Sequence, residues 1–357
     1  MLNRHAKRTA SINTNRAKRS RVEPRTLIVA AAIYGGFGLV TWYFHALPLW
    51  AAVLMGAVLI AWHGSLQHET IHNHPFASRR LNALLGGVPL SLFIPYAIYR
   101  RSHLWHHRFG GRILTDPLVD PESFYLTHGS LAQSSAPVQF LRRANTTLLG
   151  RLILGPWIAI GTFLVGPARS LAAGEGREWR IWTTHGLAVA ALLFWVVGIC
   201  RINVLVYIAC FVYPGQALTL VRSFAEHRAN ADPAQRTAVV EANPVLSLIF
   251  LYNNLHVVHH ARPTLPWYAL PAAWRRMQAE HGDAPARAAG MVYAGGYGEV
   301  LRRYFVRPVI EVEYPRGLAG EVPAHESATA APGATVTASA TVIAGGTVIA
   351  SGTATAG

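Results

Sequence analysis

Eight histidines fall into three groups whose spacing suits metal ligation: His68 and His72; His103, His106 and His107; and His256, His259 and His260. On a helix that advances about 100° per residue, an i, i+4 pair lies on one face, so His68 and His72 can grip one ion. The His-x-x-His-His spelling keeps its first, fourth and fifth residues within an arc of about 100°. The second and third groups are therefore each expected to converge on one side of a helix. A single buried histidine is ordinarily a packed core residue. Three such groups in one chain are not explained that way.

The elements that must carry these histidines are apolar. The chain has 357 residues, of which 52% are hydrophobic and only 14% charged, with ten tryptophans and thirteen tyrosines. That composition belongs to a multi-span membrane protein rather than a soluble domain. Residues 27–44 carry no formal charge, and residues 49–62 form a second apolar run that leads into the first histidine pair. Together they predict a helical hairpin turning near Pro48. Residues 181–200 and 202–221, separated only by Arg201, predict a second hairpin. The expected fold is all-α and integral to the membrane. It has about four transmembrane helices in two hairpins, interfacial helices, and a cytosolic histidine-rich cap able to hold two metals.

Arginine and lysine set the expected orientation. Arg4, Lys7, Arg8, Arg16, Lys18, Arg19, Arg21 and Arg25 precede the first span, while the hairpin tips carry almost none. The N-terminus is thus expected in the cytoplasm, which would be the inner-membrane face of a bacterium. The net charge of +15 lies largely in this arm and in Arg79, Arg80, Arg100, Arg101, Arg108 and Arg112 beside the histidines. Topology and attraction to anionic lipid account for it, so no nucleic-acid partner is expected. The arm is too long in charge, and a second span follows too closely, for it to be a secretory leader. Two hairpins starting in the cytoplasm return all three histidine groups to one side. That requires residues 148–166 to lie in the interface or re-enter, since a fifth crossing would strand the third group. Residues 81–99, broken by Gly86, Gly87, Pro89 and Pro95, are expected to behave similarly, and residues 244–252 to lead a helix bearing the third group.

The chain divides into a basic arm over 1–26, a catalytic domain over 27–317, and an Ala/Thr/Gly-rich tail over 318–357 that is expected to be disordered. Within the tail, residues 342–350 have strand-forming character. Cys200 and Cys210 lie in apolar spans without ligand-like spacing and are expected to pack. Eight histidines are more than one four-coordinate zinc needs, so two metals are implied. Two adjacent redox-active ions permit dioxygen chemistry, which makes non-haem di-iron the expected cofactor.

At this point the residues reach a family. His68-Glu69-Thr70-Ile71-His72, His103-Leu104-Trp105-His106-His107 and Asn254-Leu255-His256-Val257-Val258-His259-His260 resemble the three histidine boxes of the membrane fatty acid desaturase superfamily, in order, spacing and placement after the second span. The resemblance covers roughly residues 27–273. It implies a fatty acid (acyl-lipid) desaturase, in which two irons and dioxygen remove two hydrogens from an acyl chain. Related lipid or carotenoid hydroxylases and ketolases share the boxes. It also implies a further histidine at the cytosolic end of the fourth span, where this chain has His227 in Arg222-Ser223-Phe224-Ala225-Glu226-His227. The expected ligands are therefore His68, His72, His103, His106, His107, His227, His256, His259 and His260.

Residues 115–122, Thr-Asp-Pro-Leu-Val-Asp-Pro-Glu, resemble the acidic stretch that follows the second box in desaturases. Metal-bound imidazoles usually give their second N–H to an acid or carbonyl, and Glu69, Asp116, Asp120, Glu122 and Glu226 are candidates. Asn254 is a candidate to hold a water, and Trp105, Trp267 and Tyr268 to rim an entry for substrate. His63 lies about 140° and 180° around the helix from His68 and His72 and is left out. His45, His74, His128 and His185 lack partners at ligand spacing.

Two rival readings use the same residues. His68-Glu69-x-x-His72 is a literal zinc-protease motif, but that reading leaves the other groups unused. A non-catalytic metal or haem subunit would need the groups to bind without an open position. The chain lacks a His-Pro-Gly-Gly cytochrome b5 signature, an iron–sulfur cysteine set and a dinucleotide fingerprint. Electrons are therefore expected from an external ferredoxin or cytochrome b5-type donor with its reductase, docked on the basic rim.

Overall fold

The computed structural model describes residues 22–172, 179–281 and 291–318 and two strands at 340–343 and 347–350; for 162–172, 281 and the strands it describes the backbone alone. Four of its helices are long and apolar enough to cross a membrane: α1 Pro24–Trp42, α2 Leu49–Ile71, and those over Trp179–Ile199 and Val204–Ser223. The sequence reading of an all-helical membrane fold is borne out. Pro24 opens α1 at a position where a missing N–H costs nothing. Pro48 precedes α2, so the turn of the first hairpin occupies residues 43–48.

Between the hairpins come α3 Arg79–Gly86, α4 Tyr96–His106, α5 Ala136–Ala144 and α6 Leu148–Ala172. Helix α6 starts beside Phe224, with the Arg151 guanidinium 5.9 Å from that ring. It then crosses the fourth long helix, where the Tyr213 hydroxyl donates to the Ile153 carbonyl at 2.8 Å. Helix α7 runs Trp179–Leu193 and continues through a π-helical turn to Ile199. Helix α8, Val204–Ser223, is capped by Asn203, whose Oδ1 accepts the Leu205 N–H. It has a π-helical turn at Ile208–Val212, just before Pro214, whose missing N–H cannot close a regular helical bond.

The bundle core is the α2–α8 contact, built on glycines that let the helices approach closely. A Cβ on Gly56 would fall 2.8 Å from the Phe211 ring and 2.9 Å from the Cys210 carbonyl; one on Gly215 would fall 2.3 Å from Ile60 Cβ. Cys200 and Cys210 are buried free thiols. The two hairpin tips meet: His45 Nε2 lies 3.2 Å from the Cys200 carbonyl, and Trp195 Nε1 donates to Thr41 Oγ1 at 3.0 Å. With both tips at one end, Ile71 and Ser223 end at the other, and that shared end carries the histidines.

Beyond α8 the chain builds a cap from α9 Pro244–Ile249, α10 His256–Ala261, α11 Leu270–His281 and α12 Gly296–Tyr304. A two-residue β1 (Val239–Val240) pairs in parallel with β2 (Val292–Tyr293). The expected helix running from 244 into the third box is instead two helices. Leu251 and Tyr252 adopt left-handed backbone, φ 46° and 55°, which breaks the helical path between them. The basic arm up to residue 21 lies outside the described residues, as does most of the tail; within the tail, Ala340–Ile343 pairs antiparallel with Thr347–Ala350.

Candidate metal centre

Among the described residues, nine imidazoles meet at the shared end of the bundle, and they are the nine singled out in the sequence. They form two groups: His68, His72, His103, His107 and His259; and His106, His227, His256 and His260, with ligand atoms in each group all within 4.8 Å of one another. The supports are the last turn of α2 for His68, its C-cap for His72, α4 and its C-cap for the second box, the segment after α8 for His227, and α10 for the third box.

The two triads do not converge as triads. His103 and His107, at i and i+4, join the first group while His106 turns to the second. The third box does the reverse, sending His256 and His260 to the second group and His259 to the first. The residue at i+3 and the residue at i+4 are about 100° apart on a helix, enough to address two neighbouring centres. The groups touch where the His107 and His260 rings stack, 4.3 Å between centroids.

Hydrogen bonding fixes which nitrogen is bare. His103 Nδ1 is 3.0 Å from Glu122 Oε1, His106 Nδ1 is 2.8 Å from Asp120 Oδ1, His256 Nδ1 is 3.1 Å from Asn253 Oδ1, and His227 Nδ1 is 3.2 Å from the Arg236 carbonyl. All four partners are acceptors, so each Nδ1 carries a proton, and on a neutral ring Nε2 is then left with a lone pair. Yet His256 Nε2 faces His227 Nε2 at 3.0 Å, and His260 Nε2 lies 3.1 Å from His256 Nε2 and 3.3 Å from His106 Nε2. In the first group His103 Nε2 faces His72 Nε2 at 3.0 Å and His107 Nε2 at 3.1 Å. At His256 and His227, where both Nδ1 protons are fixed, two Nε2 lone pairs at 3.0 Å repel unless a cation lies between them, and the other rings present Nε2 at the same spacing. Nitrogens about 2.1 Å from an ion sit about 3.0 Å apart at right angles, which matches these spacings. His68 Nε2, buried without a hydrogen-bond partner, has the same need. The residues fit a metal in each group.

Electrostatics agree with the geometry. Burial, followed by the neighbouring imidazoles, lowers the pKa values of His107, His256, His259 and His260 far below the ordinary value, and burial brings His227 down to about 3. These rings are neutral donors at pH 7. His106 differs. Burial disfavours its charge, but Asp120 and Glu122 overcome that and raise it to about 9. Glu122 is held below the usual carboxylate range because His103 and His106 outweigh its burial.

The other candidates divide. Asp120 also accepts the Thr115 and Glu122 N–H groups at 2.9 Å each, so it both orients His106 and braces its own turn. Asp116 accepts from Leu118 N and touches no ring. Glu226 pairs with Arg222 at 2.7 Å and stands 3.7 Å from His256 Nδ1. Glu69 points away from both groups and accepts the Trp267 N–H at 3.2 Å. That placement denies the His68/His72 pair the general base a zinc protease requires. Asn254 Nδ2 donates to the Val240 carbonyl. Trp105 Nε1 donates to the Val119 carbonyl, Trp267 Nε1 to Thr26, and Tyr268 lies under Arg25. His63 packs edge-on to Tyr34, His74 pairs with Glu23, and both stand outside the two groups. Asn253 and the Arg236 carbonyl carry no sequence signal of their role. Only the break at 251–252, invisible in the pattern, aims Asn253 at His256.

The sequence profile described as fatty acid desaturase matches residues 44–290. Among characterised proteins, beta-carotene 4-ketolase 3 of Haematococcus lacustris is 25% identical over 234 residues, covering 62% of this chain and 60% of the relative. A beta-carotene ketolase of the same organism matches with the same identity and coverage. The chain thus spans about 60% of the length of these relatives. With the profile covering well over half of its residues and both imidazole groups assembled from the motifs inside that stretch, the chain belongs to the fatty acid desaturase family.

Proposed function

We propose that this chain is a membrane-bound, oxygen-dependent acyl-lipid desaturase, with His68, His72, His103, His107 and His259 holding one iron and His106, His227, His256 and His260 the other. The observation that carries it is the set of imidazole Nε2 atoms facing one another at 3.0–3.3 Å at one end of four membrane-length helices. Imidazole also suits zinc, copper and nickel, but a pair of adjacent sites favours a redox pair over a lone Lewis acid. When bound, two irons supply two-electron reduction of dioxygen and the oxidising power to break C–H bonds. The overall change is R–CH2–CH2–R′ + O2 + 2 e− + 2 H+ giving R–CH=CH–R′ + 2 H2O.

The residues of the chain hold and exclude. Glu122, Asp120, Asn253 and the Arg236 carbonyl fix the tautomers of four rings, and burial keeps water from the rest. No side chain need act as a nucleophile. The electrons come from an external ferredoxin or cytochrome b5-type donor, and the centre and N-terminus face the cytoplasm, consistent with the arginine-rich segments at that end of the bundle.

A second reading is oxygen insertion into a carotenoid, favoured by the beta-carotene ketolases among the relatives. The test is expression of the intact chain, counting of bound iron, and mass spectrometry of cellular lipids and pigments. Loss of two hydrogens from acyl chains supports the first reading. Replacement of two hydrogens by one oxygen in a carotenoid supports the second. In either case His72→Ala, His107→Ala and His260→Ala abolish the product without preventing membrane insertion. One bound zinc and no oxidised product would overturn both.

A further inference from the structure

The segment joining α3 to α4 runs deep into the bundle without being helical. The Leu90 carbonyl accepts from the Tyr207 hydroxyl at 2.6 Å, and the Leu92 carbonyl lies 2.8 Å from His185 Nε2. Tyr207 lies one turn from the tip end of α8 and His185 lies inside α7, so residues 88–93 sit at membrane depth. Irregular backbone survives there only if its polar groups are satisfied within the protein. Turns within the segment take up the Leu90, Leu92 and Phe93 N–H groups, and side chains from two spans meet the Leu90 and Leu92 carbonyls and hold the segment as one wall of a chamber.

The opposite wall is α7. Between the two lies a cavity of about 560 Å³, with Leu84, Val88 and Tyr96 on one side and Ile181, Ala188 and Leu192 on the other. That volume is in the range of small-molecule sites, about 300–1,000 Å³. No charged group lines it. The Thr184 hydroxyl turns back to the Arg180 and Ile181 carbonyls, and His185 is engaged with Leu92. Helix α7 stands off the bundle, with 11% of its apolar stretch buried against 39–44% for the other three long helices, so the chamber opens sideways. Tyr96, Tyr99 and His103 follow at i, i+3 and i+7 along one face of α4, and the Tyr99 ring is 5.8 Å from that of His103. Seven residues of helix place the first imidazole group about 10 Å beyond the cavity.

We propose that this cavity is a lateral port through which the acyl chain of a membrane-dissolved lipid reaches the metal centre from within the bilayer, with the small side chains of Ala188 and Ala191 keeping it open. The assignment rests on the reading that the substrate is an acyl lipid, so its test has a readout independent of turnover. The full chain in phosphatidylcholine nanodiscs is irradiated with stearic acid carrying a mid-chain diazirine, and the labelled peptides are mapped. Saturable labelling of residues 83–97 and 181–192 is expected. Ala188→Trp and Ala191→Trp should lose it, while Leu187→Trp, on the exposed face of the same helix and outside the cavity lining, should retain it. Acyl desaturation in cells should fall about tenfold or more in the two filled variants at unchanged iron content. Labelling that does not saturate, or that persists in both filled variants, would mean annular lipid only and overturn the port. If the wild type binds iron and yields no oxidised acyl chain, the proposed activity fails, while the labelling still decides the port by itself.

Discussion

Asp120→Asn isolates the brace behind the second imidazole group. Asp120 Oδ1 receives the His106 Nδ1–H at 2.8 Å and the Glu122 N–H at 2.9 Å, and Oδ2 receives the Thr115 N–H at 2.9 Å. Asparagine retains one oxygen. If that oxygen stays with His106 and Glu122, its amide faces the Thr115 N–H donor to donor. Leaving that buried group unmatched costs about 1–3 kcal/mol, and converting the charged bond to His106 into a neutral one costs roughly 1 kcal/mol more. Part of the penalty falls on folding and part on metal retention. Loss of a ligand-orienting partner ordinarily weakens metal affinity about 10- to 100-fold, or about 1.4–2.7 kcal/mol, so the two figures are compatible. The assay is metal content against a graded series of chelator concentrations, with Asp116→Asn as the control. Asp116 lies in the same turn and is also buried, yet accepts the Leu118 N–H and belongs to neither imidazole group's brace. Asp120→Asn is expected to lose metal at a chelator concentration about 10- to 100-fold lower than wild type, and Asp116→Asn to follow wild type. Equal retention in Asp120→Asn, or equal loss in both variants, would refute the reasoning.

Further outcomes are expected. Gly56→Ala and Gly215→Ala force a methyl into the α2–α8 contact and should destabilise the bundle by about 1–3 kcal/mol, read as a lower Tm in detergent, whereas Gly35→Ala, with open space at its Cβ, should not. Glu69→Gln should keep both metals, because glutamine still accepts the Trp267 N–H; loss of metal would place Glu69 in the centre after all. The metal-free protein should weaken on acidification. His107, His227, His256, His259 and His260 have folded pKa values below the unfolded value of about 6.5, so the unfolded chain binds more protons below that pH. Its Tm should fall between pH 7 and pH 5, and a flat profile would contradict neutral, closely packed rings. His106, raised to about 9, acts in the opposite sense, its contribution being present below about pH 6.5 and lost as pH rises through 9. It should give up a proton when metal enters near neutral pH, measurable as acid release in a weakly buffered solution.

The spans and the histidines were legible because both obey simple periodicities. Apolar runs bounded by Pro24, Pro48 and Asn203 mark their own ends, and i, i+4 pairs mark their own face. What was not legible depended on the chain between them. The triads look convergent in projection, yet His106 and His259 cross to the opposite group, because a 100° offset matters only once two centres lie close together. Asn253 takes up His256 only because Leu251 and Tyr252 leave the helical region, and nothing in their types announces it. Glu69, flagged by its motif, was bound to a backbone N–H 198 residues away, a contact no local pattern encodes.

The distribution of ligands has a consequence for biogenesis. The first group needs His259 and the second needs His256 and His260, so both require the last box as well as earlier segments. Neither pocket can be complete while residue 260 is still inside the ribosome, by which time all four long helices have been synthesised. Completion of both sites must therefore follow membrane integration, and a nascent chain halted before the last box should not hold the pair of ions.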